Sequence, residues 1–152
     1  MSKGREVNVL DARVKGVAPC FNLKLRQASR VLTKCYDDQL RELGITVTQF
    51  SILRSLWYLK RCSQKQLQEI LVLQQTTLTR NLKPLLKAGY ITTCADPQDR
   101  RVSLVSLSDN GRELFERAET LWAQTQREIA GRLGEDLSRQ LLAVTEAIVA
   151  LR

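Results

Sequence analysis

The residues of this chain with the most definite chemistry lie in the stretch LQQTTLTRNLKPLLKAGYI, from Leu73 to Ile91. Gln75, Thr76, Thr77 and Thr79 bring amide and hydroxyl groups, Arg80 a planar fork of donors, and Lys83 and Lys87 compact positive charges. No acidic residue intervenes between Glu69 and Asp96. Such side chains match the surface of a nucleic acid. Arginine can be bidentate to guanine and a threonine methyl can meet a thymine methyl, while lysine more often meets phosphate. With about 3.6 residues per turn, Leu78, Leu82, Leu85 and Leu86 form an apolar stripe, and Gln75, Thr76, Thr79, Arg80 and Lys83 fall opposite. The spacing predicts a helix anchored by one face and offered outward by the other, as in the recognition helix of a helix-turn-helix. For any one threonine, a bond back to the local backbone is the competing use of its hydroxyl.

The rest of the chain must position that helix. At 152 residues a single domain is expected, and 43% hydrophobic with 26% charged residues is ordinary globular composition. The net charge of +8 is uneven. From Gly44 to Ala95 the basic residues are Arg54, Lys60, Arg61, Lys65, Arg80, Lys83 and Lys87 against the single acid Glu69, whereas acids balance bases from Arg112 onward. The positive field therefore sits on the middle third, which points to a polyanion bound there; a solvated basic face is the plainer alternative. The sequence has no histidine, and Cys20, Cys35, Cys62 and Cys94 lie far apart without a CxxC pair. Histidine acid–base chemistry is thus excluded, and a zinc site of usual spacing is not expected. Neither a glycine-rich phosphate loop nor a paired-carboxylate constellation is present, so no enzyme activity and no cofactor are expected. With no long apolar run at the N-terminus, no signal peptide or membrane span is expected, and a cytoplasmic location with free thiols follows.

In chain order, residues 1–18 read as a loose arm or a short helix that packs on a partner. Phe21, Leu25, Ala28, Leu32, Cys35, Tyr36, Gln39, Leu40 and Leu43 then recur at helical spacing, a helix of about six turns that Gly44 closes. Thr46 with Gln49 and Ser63 with Gln66 each fit a capping box. The first opens a helix presenting Phe50, Leu53, Leu56 and Trp57 and ending near Lys60. The second opens a short helix with Leu67, Ile70 and Leu71, and a turn over residues 72–74 leads into the basic stretch. Pro84 removes a helix hydrogen bond to Arg80, but two turns precede it, so a kink there would spare the reading half. Two β-rich runs, residues 90–94 and 102–107, flank ADPQDRR and predict a hairpin with Arg100 and Arg101 near its tip. Ser108 can cap a further helix carrying Leu114, Phe115, Ala118, Leu121, Trp122, Thr125, Ile129 and Leu133. After Gly134, a last helix carries Leu137, Leu141, Val144, Ile148 and Leu151. These terminal helices have more apolar face than a small lobe can cover, which assigns them to a dimer interface. The expected fold class is mainly α with a small β-hairpin wing: a winged helix-turn-helix over residues 46–108, flanked by dimerisation helices over 19–45 and 109–152.

At this point the sequence resembles the MarR family of bacterial transcription regulators, from Cys20 to Arg152. The resemblance is carried by CFNLKLRQASRVLTKCYDDQLRELGITVTQFSILRSL, QQTTLTRNLKPLLKAGYI and DPQDRRVSLVSLSDNGREL, the last holding the family's wing signature as Asp96, Asp99 and Arg101. Two positions depart from the pattern: Gln74 stands where close relatives often carry an acid, and Gln68 where a small residue is common. The resemblance implies a homodimer that binds pseudo-palindromic double-stranded DNA and represses transcription until a small molecule or oxidant intervenes. By position, Gln75, Thr76, Thr77, Thr79 and Arg80 would meet the major groove, with Lys83 on phosphate, and Arg100 and Arg101 would reach the minor groove. Asp99 would orient a wing arginine by a charge-assisted hydrogen bond.

Relatives in this family bind aromatic acids and similar compounds, which makes Leu25, Tyr36, Phe50, Trp57 and Trp122 candidate walls of a pocket for a small aromatic or anionic effector; plain core packing is the alternative for each. Thiol-based peroxide sensors also occur in the family, and Cys20, at the expected start of the first helix, is the candidate redox residue. Aligning Tyr36 with those sensors, however, places Asn22 at their reactive position and Val47 where a supporting tyrosine would stand. A winged-helix protein-interaction module that does not bind DNA is the rival from a different class.

Overall fold

The computed structural model describes residues 19–152, and the arm expected over residues 1–18 lies outside the described residues. In chain order come α1 (Phe21–Leu40), a 3₁₀ turn (Arg41–Leu43), α2 (Val47–Leu59), β1 (Arg61–Ser63), α3 (Gln64–Leu71), α4 (Gln75–Lys87), β2 (Ile91–Ala95), β3 (Ser103–Leu107), α5 (Asp109–Leu133) and α6 (Glu135–Val149). Among the described residues the chain divides into two units, one ending at residue 34 and the other spanning residues 35–152. Of the first unit, residues 21–34 are the opening turns of α1, where Phe21, Leu23 and Val31 are exposed.

In the second unit local chemistry sets the boundaries. The 3₁₀ turn ends at Gly44, whose φ of 72° lets its N–H bond to the Arg41 carbonyl at 2.9 Å. Both expected capping boxes form: the Gln49 N–H donates to Thr46 Oγ1, the Gln66 N–H donates to Ser63 Oγ, and each glutamine Oε1 accepts the cap residue's own N–H in return. Asp37 near the end of α1 adds an anion at the start of α2, accepting the Val47 N–H at 2.7 Å. The turn between α3 and α4 passes through Val72 at φ 52° and ψ 44°, with the N–H groups of Val72 and Leu73 both directed at the Gln68 carbonyl. A β-branched residue in the left-handed region is costly, and here it makes the tight reversal between the two helices.

The core lies where α2 meets α5 and the sheet. Phe50, Ile52, Leu53 and Leu56 of α2 pack with Leu67, Leu78, Leu82, Leu85, Val105, Leu114 and Phe115, all buried. Its centre is a column of rings: Phe50 stacks on Phe115 with centroids 5.7 Å apart and on Trp122 at 5.8 Å, and Trp57 tilts onto Phe115 at 4.9 Å. Ile52 was not on the expected core face of α2 and is fully buried, while Ile70, expected on the inner face of α3, is exposed.

The expected hairpin forms as β2 and β3, and the sheet gains a third strand that the sequence did not announce. The sheet has three antiparallel strands in the order β1-β3-β2, because Arg61, Cys62 and Ser63 pair with Ser106, Val105 and Leu104. The β2–β3 ladder runs from Ile91↔Leu107 to Ala95↔Ser103. The architecture is mostly helical with this small sheet. α6 has no buried residue, and Leu137, Leu142, Val144, Ile148 and Val149 stay exposed along it.

Candidate nucleic-acid interface

Leu78, Leu82 and Leu85 are buried and hold α4 on the core, and they leave Gln75, Thr76, Thr79, Arg80 and Lys83 exposed. Leu86, expected in the anchoring stripe, is 41% exposed. It lies just past the edge of the face that Leu78, Leu82 and Leu85 define, one residue too far round the helix. Thr77 is half-buried, and its carbonyl accepts the Asn81 side-chain amide at 2.8 Å, so Asn81 is turned back onto its own helix. Pro84 is exposed and α4 continues beyond it to Lys87. The helix then closes by a Schellman arrangement: Gly89, at φ 74°, donates its N–H to Leu86 O, and Tyr90 donates to Leu85 O, each at 3.0 Å.

The hairpin loop is built by its two aspartates. Asp96 Oδ1 accepts the Gln98 N–H at 2.9 Å, and the Val102 N–H reaches the Asp99 carbonyl at 2.9 Å, which places Arg100 and Arg101 at the tip. Asp99 selects one of them. Its Oδ1 accepts Arg101 Nε–H and the Arg101 backbone N–H, both at 3.1 Å, and its Oδ2 accepts Nη2–H at 3.2 Å. The Arg101 side chain remains 91% exposed while held in this fork. The same bonds, side chain first and backbone second, hold the Asp99 carboxyl below the ordinary carboxylate pKa.

Phe50 and Trp122 line a shallow cleft of about 330 Å³ together with Ser51, Arg54, Ser55, Tyr58 and Leu71. The Arg54 guanidinium lies 4.2 Å from the centre of the Trp122 ring, a placement that sequence spacing did not flag. Trp57 joins the ring column on Phe115. Tyr36 donates its hydroxyl to Gln126 Oε1, and burial, with Cys35 beside it, pushes its pKa up. Leu25 belongs to the other unit and lines a separate cleft with Arg26, Ser29 and Arg30.

All four cysteines are free. Cys20 is exposed just before α1, and its carbonyl accepts the Lys24 N–H at 3.0 Å. Cys62 is buried in β1, where desolvation pushes the thiol pKa up. Among the described residues no cluster of histidine, cysteine, aspartate or glutamate could hold a metal ion, and no helix is long and apolar enough to cross a membrane.

Comparison with known proteins points to one family. A sequence model of the MarR family matches residues 45–103. The organic hydroperoxide resistance transcriptional regulator of Bacillus subtilis (strain 168) is 35% identical over 120 residues, covering 79% of this chain and 80% of that protein. The transcriptional regulator MOSR of M. tuberculosis, solved in complex with DNA, superposes with a TM-score of 0.75 at 30% identity, covering 88% of this chain and 99% of the other. A mutant of MarR from E. coli complexed with operator DNA gives a TM-score of 0.77 at 21% identity over 93% of this chain and 99% of that one, a likeness of fold.

Proposed function

The chain belongs to the MarR family of transcriptional regulators, and from that premise we propose that it is a homodimeric repressor of pseudo-palindromic DNA whose grip a small effector loosens. The observation that carries this reading is the pairing of two cationic surfaces on one lobe. The exposed face of α4 presents Gln75, Thr76, Thr79, Arg80 and Lys83, and the hairpin tip presents Arg101 already aimed by Asp99. In this reading α4 enters the major groove. Arg80 is the candidate for a bidentate bond to guanine, the threonines contact base edges with Thr77 at the margin, and Lys83 binds phosphate. Arg100 and Arg101 enter the flanking minor groove, where a narrow groove concentrates negative potential.

Residues 46–108 are the DNA-binding lobe of this proposal, and residues 19–45 and 109–152 form the dimer interface. The uncovered apolar side chains of α6 support that division. For the effector, the cleft lined by Phe50 and Trp122 is the site this reading proposes. The protein would act in the cytoplasm.

The test uses a duplex selected from random DNA by the unmodified protein. Arg80→Ala and Arg101→Ala should each weaken binding at least tenfold, about 1.4 kcal/mol, while the dimer persists. Binding should fall by roughly 10³ to 10⁵ between about 50 and 200 mM salt if about six to ten phosphates are contacted. Flat salt dependence, or variants that bind as the parent does, would favour a protein-interaction module instead. A thiol switch is the second reading. It draws on the exposed Cys20 and on the hydroperoxide-resistance regulator among the relatives. Peroxide should then release DNA from the parent protein but not from Cys20→Ser; equal release, or none, removes it.

A further inference from the structure

We propose that Ser108 and Gly111 are positioning residues for DNA binding, forming one joint that sets α4 and the wing against the start of α5. The inference rests on the placement of α4 and the hairpin on DNA proposed above.

The joint gathers the exit of α4, the base of the hairpin and the N-terminus of α5 around a single hydroxyl. Ser108 Oγ donates to the Gly89 carbonyl at 2.6 Å and accepts the Gly111 N–H at 3.0 Å. A serine hydroxyl has one proton to give, and here it goes to the residue that closes α4 while a lone pair caps α5. The backbone of Ser108 adds a third tie, its N–H donating to the Tyr90 carbonyl at 3.1 Å. Tyr90 in turn bonds back to Leu85 of α4 and directly precedes β2.

Gly111 supplies the closeness. A Cβ at this position would stand 1.9 Å from the Tyr90 carbonyl oxygen and 2.9 Å from its carbon. Both are backbone atoms, so no side-chain rotation relieves the clash, and α5 can approach only if residue 111 lacks a side chain. Gly131, further along α5, has nothing within 4 Å of the equivalent position. The consequence is leverage. The ladder leaves the joint at Ile91↔Leu107 and reaches Ala95↔Ser103 before the tip. At about 3.3 Å per residue the arginines therefore sit more than about 13 Å from the pivot, so a small rotation at Tyr90 displaces Arg101 much further. The DNA-facing side of α4, fixed by the same knot, would lose its register with the wing.

The experiment measures affinity for the selected duplex and for a random duplex across a salt series, scaled to the binding-competent fraction found by stoichiometric titration. Gly111→Ala should weaken specific binding by at least about tenfold and flatten the log–log salt slope by about one to two, because displaced wing contacts release fewer counterions. Ser108→Ala should move both quantities in the same direction by less, and Ser108→Thr, which keeps the hydroxyl, should restore them. If Gly111→Ala does not fold, Ser108→Ala against Ser108→Thr decides. A lower competent fraction with the parent's slope and affinity would mean a structural role alone and would overturn the proposal, as would unchanged binding. Arg80→Ala in the same series tests the placement of α4 separately: its failure to weaken binding refutes that placement, while the joint is judged by its own variants.

Discussion

Both carboxylate oxygens of Asp99 are taken up by Arg101, although the intervening Arg100 is nearer in sequence. That choice has a pH signature. A carboxyl held below its ordinary value stays ionised in the folded protein as pH falls past 3.8, and the bond is lost only as pH drops through the depressed folded value. Its contribution is therefore fully present above the ordinary carboxylate pKa, and between about pH 5 and 8 the fork should not titrate. A carboxyl-detected NMR titration should give Asp99 a midpoint below 3.8; a midpoint at or above it would mean that the fork does not persist in solution. Asp99→Asn should leave the melting temperature near that of the parent, since the pair is exposed. It should lower the ratio of specific to random DNA affinity by roughly threefold to tenfold, because a neutral amide no longer aims the guanidinium. A bond from Asp99 to a wing arginine was legible in the wing signature. Which arginine it holds was not, because that depends on the loop conformation set by the Asp96 and Val102 hydrogen bonds.

At the scale of elements, α2, α3 and α5 begin where short polar residues satisfy free N–H groups, and those residues could be read from the chain. Thr46, Ser63 and Ser108 each accept an N–H from three residues on. Thr46→Ala and Ser63→Ala should each cost about 1 kcal/mol, read as a lower denaturant midpoint with an unchanged slope. An effect below about 0.3 kcal/mol for both would mean that tertiary packing alone sets these helix starts. The short strand β1 was missed for a physical reason. Residues 61–63 have no alternation of their own long enough to announce a strand, and their extended form is made by pairing with β3, some forty residues on. Pro84 was expected to sit within α4 without ending it, and α4 runs three residues further, held there by the buried Leu85 and the Schellman closure.

For the whole molecule, the deciding quantities are charge and uncovered apolar surface. The net charge of +8 suits a polyanionic partner. The exposed Leu137, Val144 and Ile148 of α6 suit a second copy of the chain. Val144→Asp should convert a dimer into monomers at micromolar concentration, seen by sedimentation, because a carboxylate would be buried without a partner. DNA binding should fall with it, since two recognition helices about one helical turn apart are needed to span both half-sites. A parent protein that sediments as a monomer would refute the dimer. The expected division into a lobe and dimerisation helices rests on the same uncovered side chains, which periodicity already marked.

The sequence by itself determined what depends on near neighbours: helix periods, capping residues, turn formers and the run of basic residues free of acids. Each is settled within a few residues, so it survives without knowledge of the fold. Only the tertiary structure decided which distant groups meet. It placed Arg54 over Trp122, added β1 to the sheet, left Leu86 outside the anchoring face, and set Gly111 against the carbonyl of Tyr90. The last is the sharpest case. A glycine in the first turn of a helix reads as a weak helix former, and its use becomes visible only when another element is packed too close for any side chain to fit.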